Sequence, residues 1–382
     1  MYTVRMRIGI DARAVAGRYT GDRTYWRGLL RGLSDLNNDH RYLLYVRQEV
    51  PNGADALQLG ERFEWRVVPA SSDRIWSLTT LPLSARSDRT DILHVQYSVS
   101  PFVSCPVVTT VHDISFKLFP QLFSAKDRAL LNLTVPVAVR RACRVIGVSE
   151  NTRRDILKAF AGTPPEKVAA IPLAAAPEFR LMDDKARDEA GRLLESHYGI
   201  DGPFVLAVGV LQPRKNLPML IRAFRSAKRI ARLPHRLAIV GKHGWLTEEI
   251  DTALAEAGED VIMTGYVPDD HLPAMYNCAE MMCYPSYYEG FGLPPLEAMS
   301  CGCPVAVSQT SSLPEVVGSA GMLLDPESVG VWIDAISTLL TDSGERRRLS
   351  EAGLAQAAKF TWRRTALATQ AVYNACHNRN RS

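Results

Sequence analysis

The chain has 382 residues, 46% of them hydrophobic and 23% charged, with 25 Gly and 23 Pro. These globular proportions exclude collagen-like, disordered and coiled-coil chains, and the length predicts two domains of roughly 150–200 residues. The net charge of +4 is uneven: residues 1–172 carry 24 Lys and Arg against 16 Asp and Glu, and residues 173–382 carry 21 against 25. A basic first half fits an acidic partner, a phosphate, an anionic lipid surface or nucleic acid, or else scattered solvated Arg.

Short runs rich in Val and Ile alternate with helical patterns along the chain. The runs in the first half are 7–11, 42–46, 63–68, 91–97, 106–111, 143–148 and 168–172. Those in the second half are 203–209, 237–241, 261–267, 281–285, 304–308 and 321–325. Continuous apolar runs bounded by Gly, Pro and Asp suit strands buried on both faces. Between them, Trp26, Leu29, Leu30, Leu33 and Leu36 recur at helical spacing, as do Leu217, Leu220, Ile221 and Phe224. Strand–helix alternation, occurring twice, predicts two doubly wound α/β domains with parallel sheets. The expected division is a first domain over 1–172, a linker over 173–202 and a second domain over 203–361. A last helical segment covers 362–382.

No run of about 18 uncharged apolar residues predicts a membrane span. The N-terminus runs into strand-like Arg7-Ile8-Gly9-Ile10, so no secretory signal is expected. Seven Cys without zinc or Cys-x-x-Cys spacing predict reduced, buried thiols and a cytoplasmic protein. No nucleic-acid-binding module is recognised, so no nucleic-acid partner is expected.

In open α/β sheets ligands bind beyond the carboxyl ends of the strands, so residues there matter most. Gly209-Val210-Leu211-Gln212-Pro213-Arg214-Lys215-Asn216 follows a strand and precedes a helix for which Asn216 is a candidate N-cap. Two cations beside a helix start form an anion site, each charged hydrogen bond to phosphate contributing about 1.5–3 kcal/mol. Two exposed loop charges are the plainer reading. Tyr284-Pro285 to Met299 reads as strand, glycine loop and a helix starting at Pro294-Pro295. Gly290 and Gly292 would let backbone amides approach a phosphate. Glu297, expected in the first helical turn, would complement the helix dipole or accept from a ribose diol. Glu289, in the loop, suits a sugar's hydroxyls. His112 in Thr109-Thr110-Val111-His112-Asp113 lies at a strand's carboxyl edge, whereas His94 lies mid-strand and reads as a core residue.

Together these segments resemble glycosyltransferase family 4, whose members are retaining enzymes of the GT-B fold, and the resemblance covers nearly the whole chain. Glu289 and Glu297, with seven residues between them in Tyr288-Glu289-Gly290-Phe291-Gly292-Leu293-Pro294-Pro295-Leu296-Glu297-Ala298, carry it most specifically. Cys301-Gly302-Cys303-Pro304-Val305 completes that signature. Pro213-Arg214-Lys215-Asn216 is similar to the family's diphosphate site, Val111-His112-Asp113 to its His motif, and Thr264-Gly265-Tyr266-Val267 to its loop near the nucleobase.

The resemblance implies two Rossmann-like domains facing across a cleft, with the last helix packing back on the first domain. It places His112, Glu289, Arg214 and Lys215 in catalysis. Donor binding falls to Gly209, Arg214, Lys215, Val267, Glu289, Gly290, Phe291, Gly292, Leu293 and Glu297. Within that set, Arg214 and Lys215 would hold the diphosphate, Glu289 the donor sugar and Glu297 the ribose. One departure concerns the family's first loop, commonly Gly-x-Gly-x-Tyr. Here it reads Gly21-Asp22-Arg23-Thr24-Tyr25, with Arg23 at the second Gly.

The implied reaction is retaining transfer from a nucleotide sugar, GDP-mannose as first guess, to a glycan or lipid-linked acceptor. No Asp-x-Asp occurs in the chain, so metal-independent transfer with no cofactor is expected. A same-face mechanism and a Glu289 nucleophile both remain open. A catalytically silent nucleotide-sugar-binding or scaffold protein is the competing reading, supported by Arg23. A dehydrogenase would need a Gly-x-Gly-x-x-Gly turn that Ile10-Asp11-Ala12-Arg13 does not supply. The cations Arg140, Arg141, Arg144, Arg153, Arg154 and Lys158 could attract a membrane surface or form a solvated helix face.

Overall fold

The structure, a computed structural model, describes residues 5–15, 21–50 and 57–379. The chain divides into two compact units: Met1–Ala174 with Thr361–Ser382, and Ala175–Phe360.

The first unit is built on β1 (Arg7–Asp11), β2 (Arg41–Val46), β3 (Phe63–Val67), β4 (Ile92–Gln96), β5 (Val107–Val111), β6 (Arg144–Gly147) and β7 (Val168–Ala170). The second holds β8 (Phe204–Val208), β9 (Arg236–Val240), β10 (Val261–Gly265), β11 (Met281–Tyr284), β12 (Val305–Ser308) and β13 (Met322–Leu324). Among the described residues every strand pairing is parallel. The sheet orders are β3-β2-β1-β4-β5-β6-β7 and β10-β9-β8-β11-β12-β13. Among the described residues all thirteen strands fall on or within one residue of the apolar runs, as suits parallel strands covered on both faces, although the edge strand β3, Phe-Glu-Trp-Arg-Val, alternates and is only partly covered. Each order reverses direction beside the unit's first strand. The carboxyl-end crevices between β1 and β4, and between β8 and β11, are therefore the topological switch points where such sheets bind ligands.

The helices that carry or support these edges are α1 (Gly21–Ser34), α2 (Ala125–Arg141), α3 (Glu150–Ala159), α4 (Asp184–Tyr198), α5 (Leu217–Ala231), α6 (Leu293–Ser300) and α7 (Trp362–Arg379). Helix α1 buries Trp26, Leu29, Leu30 and Leu33, and α5 buries Leu217, Leu220, Ile221 and Phe224. Helix α7 packs on α1 within the first unit. Gly28 and Gly32 form the seat: an added Cβ on Gly28 would lie 2.0 Å from Trp362 Cε2, and one on Gly32 2.4 Å from the Trp362 carbonyl oxygen.

Two expectations change. Most of the segment 173–202, expected as a linker, belongs to the second unit. Helix α4 buries Ala190 and Leu194, is capped by the Asp183 side chain, and ends at Gly199 in the left-handed region with φ 65°. Its charged sequence reads as a linker because only one narrow face is covered. The segment Gly21–Tyr25, expected as a loop before the first helix, is instead the first turn of α1. Burial of Tyr25 and Trp26 draws these residues into the helix despite the leading Gly.

All seven cysteines are free thiols. Cys283, Cys301, Cys303 and Cys376 are buried, whereas Cys105, Cys143 and Cys278 are only partly covered, short of the full burial expected.

Candidate functional site

The second unit's switch point holds a buried charge cluster. Beyond β8, the Gly209 amide donates to the Val240 carbonyl at 2.8 Å. Gly209 has φ 149°, and a Cβ there would lie 3.0 Å from Lys215 Cε, so its bareness gives the lysine room. A single 3-10 turn, Pro213–Lys215, then delivers Arg214 and Lys215. Asn216 follows with φ 52° and occupies the N-cap position of α5, but its side chain does not cap. It instead donates to the Pro326 carbonyl at 2.8 Å and accepts from the Tyr287 hydroxyl at 3.1 Å, tying the turn to two other loops.

Both cations converge on one carboxylate oxygen. Glu289 Oε1 is 2.9 Å from an Arg214 guanidinium nitrogen and 2.7 Å from Lys215 Nζ. Arg214 also donates to the Tyr288 carbonyl. Lys215 donates to the Tyr284 hydroxyl at 2.5 Å and lies 4.5 Å from that ring's centroid. Lys215 and Glu289 are each only 8% exposed. Burial alone would raise the Glu289 pKa, but Arg214 and Lys215 outweigh it and lower it to about 2. Burial first, and Glu289 second, push the Tyr284 phenol well above its ordinary value, so it stays protonated beside the carboxylate.

The glycine loop that carries Glu289 is held from both sides. The Tyr287 amide donates to the Arg214 carbonyl at 3.0 Å. The Glu289 amide donates to Ser311 Oγ at 2.9 Å, and the Ser312 hydroxyl donates to the Glu289 and Phe291 carbonyls at 2.9 and 2.6 Å. Gly292 has φ 115°, and a Cβ there would lie 2.8 Å from Leu313 Cδ2. Gly290 is buried within this loop. Phe291 and Leu293 are buried too, Phe291 meeting the edge of Phe360 at 5.8 Å.

Glu297 does not lie in the first turn of α6 as expected. It is the fifth residue of the helix, 1% exposed, and accepts from the Tyr276 hydroxyl at 2.9 Å. The prolines after Leu293 start the helix earlier than the acid. Val267 is buried just past the end of β10. The second unit therefore joins Gly209, Arg214, Lys215, Glu289 and the Gly290–Gly292 loop directly, while Glu297 has a separate partner in Tyr276.

In the first unit, His112 follows β5 beside Gln96, the last residue of β4. The Gln96 amide nitrogen is 2.8 Å from His112 Nε2, and Asp22 Oδ1 is 3.4 Å from the same ring nitrogen. Tyr25 meets the imidazole edge-on, with ring centroids 5.0 Å apart. Thr152 of α3 donates to the His112 carbonyl at 3.3 Å, holding the backbone. Gly21 is exposed, and a Cβ there would enter open space. Arg23 is half-buried in the same turn as Asp22.

His94 is fully buried, as a core residue should be. It bonds the Tyr373 hydroxyl at 2.7 Å and the Thr110 hydroxyl at 2.8 Å, and burial lowers its pKa to about 3. Asp22, Gln96, Tyr284 and Tyr276 were not singled out from the sequence. Asp22 stood inside the segment that attracted attention for Arg23, and Tyr284 inside a quoted strand. Gln96 and Tyr276 carry no sequence signal, since each acquires its role only through a partner more than ten positions away.

The cations expected at a membrane are not equivalent. Arg153 donates to the Val168 carbonyl at 2.9 Å and pairs with Glu150 at 2.9 Å, which makes it a structural tie between α3 and β7. Arg140, Arg141, Arg154 and Lys158 are exposed.

Two family models match the chain: Glycosyltransferase Family 4 over residues 19–179 and Glycosyl transferases group 1 over residues 197–356. The O-antigen chain mannosyltransferase B of Escherichia coli is 35% identical over 67% of this chain and 66% of its own length. The serotype-specific mannosyltransferase WbdA of Escherichia coli is 33% identical over 59% of this chain and 28% of its own length. The chain thus spans less than two thirds of these relatives.

Among solved structures, sucrose-phosphate synthase from Thermosynechococcus elongatus superposes with TM-score 0.74 at 20% identity, covering 97% of this chain and 98% of that one. Anabaena HepE in complex with UDP and glucose superposes with TM-score 0.73 at 19% identity, covering 97% and 100%. These likenesses bear on the fold alone and agree with two doubly wound domains of the GT-B class. With both halves matched by complementary family models, the chain belongs to glycosyltransferase family 4, its second unit being a group 1 glycosyl transferase domain.

Proposed function

We propose that this chain is a retaining mannosyltransferase that moves mannose from GDP-mannose to a glycan or lipid-linked acceptor without a metal. The observation that carries the reading is the convergence of Arg214 and Lys215 on Glu289 at the second sheet's switch point. The mannosyl assignment draws on the mannosyltransferases among the relatives. The nucleotide-sugar assignment draws on HepE, which was crystallised with UDP and glucose.

Transfer breaks the bond between the anomeric carbon and a phosphate oxygen, so negative charge grows on the leaving diphosphate. Fixed cations stabilise that charge most when they need not reorganise, and Arg214 and Lys215 are held in place by the turn that carries them. A diphosphate competes with Glu289 for the two cations, which turns the carboxylate toward the sugar's hydroxyls. The family resemblance gives His112 a role on the transferred sugar near its reacting carbon. Glu297 takes the ribose by exchanging the Tyr276 hydroxyl for a diol. In the same-face route the acceptor hydroxyl adds to the anomeric carbon and its proton passes to the leaving phosphate oxygen. A sugar trapped covalently on Glu289 would favour the nucleophilic route instead.

A silent nucleotide-sugar binder is the second reading, favoured by Arg23 in the first turn of α1. Donor hydrolysis without acceptor separates the two, since a silent binder would not leak sugar to water. We further propose a cytoplasmic protein working at the anionic inner face of a membrane. Its contact surface would be the outer half of α2, where Leu130 and Leu133 are 44% and 70% exposed beside exposed Lys126 and Arg128. Among the described residues no helix is long and apolar enough to cross a membrane.

The deciding experiment screens GDP-, UDP- and ADP-sugars for thermal stabilisation and hydrolysis. GDP-mannose at a hundred times its Kd should stabilise by about 2.7 kcal/mol. Transfer should persist in excess chelator. Stabilisation by UDP-sugars alone would overturn the donor, and activity lost to chelator and restored by magnesium would overturn metal independence.

A further inference from the structure

The reading above uses His112 but leaves open what its ring offers the sugar. A neutral imidazole carries its proton on either nitrogen, and neighbours choose between them. Two neighbours face Nε2 here. As placed, the Gln96 amide nitrogen at 2.8 Å donates to Nε2 and would drive the proton to Nδ1. A half turn of that amide presents its oxygen, which accepts from Nε2–H equally well. Gln96 alone is therefore indifferent. Asp22 is not, because a carboxylate only accepts. Its Oδ1 lies 3.4 Å from Nε2, and His112 is largely covered, its side chain 13% exposed.

Helix α1 holds this arrangement. Asp22 and Tyr25 are three positions apart and share one face of the helix. The Tyr25 ring stands edge-on to the imidazole at 5.0 Å. Its hydroxyl is fixed by Thr110 at 2.8 Å, and Thr110 by His94, which is fixed in turn by Tyr373 of α7. The chain of bonds runs through the buried interior of the first unit, so the first turn of α1 has little freedom to drift.

We propose that Asp22 is a positioning residue for His112: its carboxylate keeps the proton on Nε2 and leaves Nδ1 as the ring's acceptor for a hydroxyl of the transferred sugar. This rests on the assignment of His112 to the donor sugar. It also gives the altered first turn a role, since the position beside Arg23 supplies a charge that the imidazole uses.

The test combines ring-nitrogen NMR on protein labelled with 15N-histidine and kinetics of sugar transfer. His112→Gln identifies the His112 signals. Wild-type protein should show the Nε2–H form, and Asp22→Asn, of the same size at a side chain 46% exposed, should shift it toward Nδ1–H with an unchanged melting temperature. Transfer kcat should fall about tenfold with donor KM within about twofold, because an acceptor at the sugar's hydroxyl gains strength as positive charge develops on the reacting sugar. Asp22→Glu should restore much of both. An Nδ1–H form in the wild type overturns the proposal. So do tautomer and kcat unmoved by Asp22→Asn while His112→Ala is inactive. If His112→Ala itself transfers at the wild-type rate, the assignment of His112 falls, and this proposal with it.

Discussion

Glu289, proposed above to meet the donor sugar, also has a structural part in the second unit. Its sequence setting, a loop acid beside glycines, suggests a sugar ligand or a nucleophile. The structure adds that it is the buried counter-charge for Arg214 and Lys215. Removing one member of a buried ion cluster strands the others, at a cost of about 3–5 kcal/mol. Glu289→Gln should therefore lose stability as well as activity. The pH dependence has a definite sign. The folded pKa of about 2 lies below the ordinary 4.5, so the carboxylate's contribution is complete above about pH 4.5 and fades as pH falls toward 2. Urea denaturation of wild type and Glu289→Gln between pH 7 and 2 should show a gap that closes over that window. A gap constant with pH would contradict the pairing. Asn216 and Glu297 teach the same lesson in reverse. Their residue types predicted a cap and a dipole complement, yet long-range partners, Pro326 with Tyr287 for one and Tyr276 for the other, took their side chains.

The thirteen strands were legible because continuous apolar runs have few other uses in a chain this polar. Helices whose stripes are large and aliphatic, such as α5, were legible too. The start of α1 was not, since Gly-Asp-Arg-Thr has the composition of a loop. The seat for α7 was invisible for a different reason. Gly28 sits mid-helix and Gly32 in the last turn of α1, and glycine inside a helix normally costs about 1 kcal/mol relative to alanine. Here the missing methyl groups admit Trp362, so that rule reverses. Gly32→Ala should destabilise the first unit by about 1–3 kcal/mol, because the obstacle is the Trp362 carbonyl rather than a movable side chain. Gly21→Ala, entering open space, should be neutral or stabilising by a few tenths to about 1 kcal/mol. Hydrogen exchange on the first unit's core amides checks both, and equal effects would refute the packing argument.

Charge asymmetry in the sequence fits an anionic partner for the first half or scattered solvated Arg, and the structure leaves Arg140, Arg141, Arg154 and Lys158 exposed. Arg153 is committed to Val168 and Glu150. The outer turns of α2 instead combine exposed Leu130 and Leu133 with Lys126 and Arg128. Each cation near an anionic surface contributes about 1 kcal/mol. Lys126→Glu or Arg128→Glu should then weaken co-sedimentation with anionic vesicles at least about fivefold at low salt. Leu133→Ser should weaken it further at every salt concentration. Equal binding of all forms to neutral vesicles would exclude this surface.

Local pattern was enough to establish two parallel α/β domains and the family, because the period of apolar residues and short loop motifs are properties of neighbours in the chain. Which carboxylate neutralises Arg214 and Lys215, which acid faces His112, and whether residues 184–198 are linker or domain are settled between residues far apart in the chain. Asp22 and His112 are 90 positions apart, and Lys215 and Glu289 are 74. Folding alone sets such distances, since electrostatic pairing and burial depend on separation in space, which the order of residues does not carry.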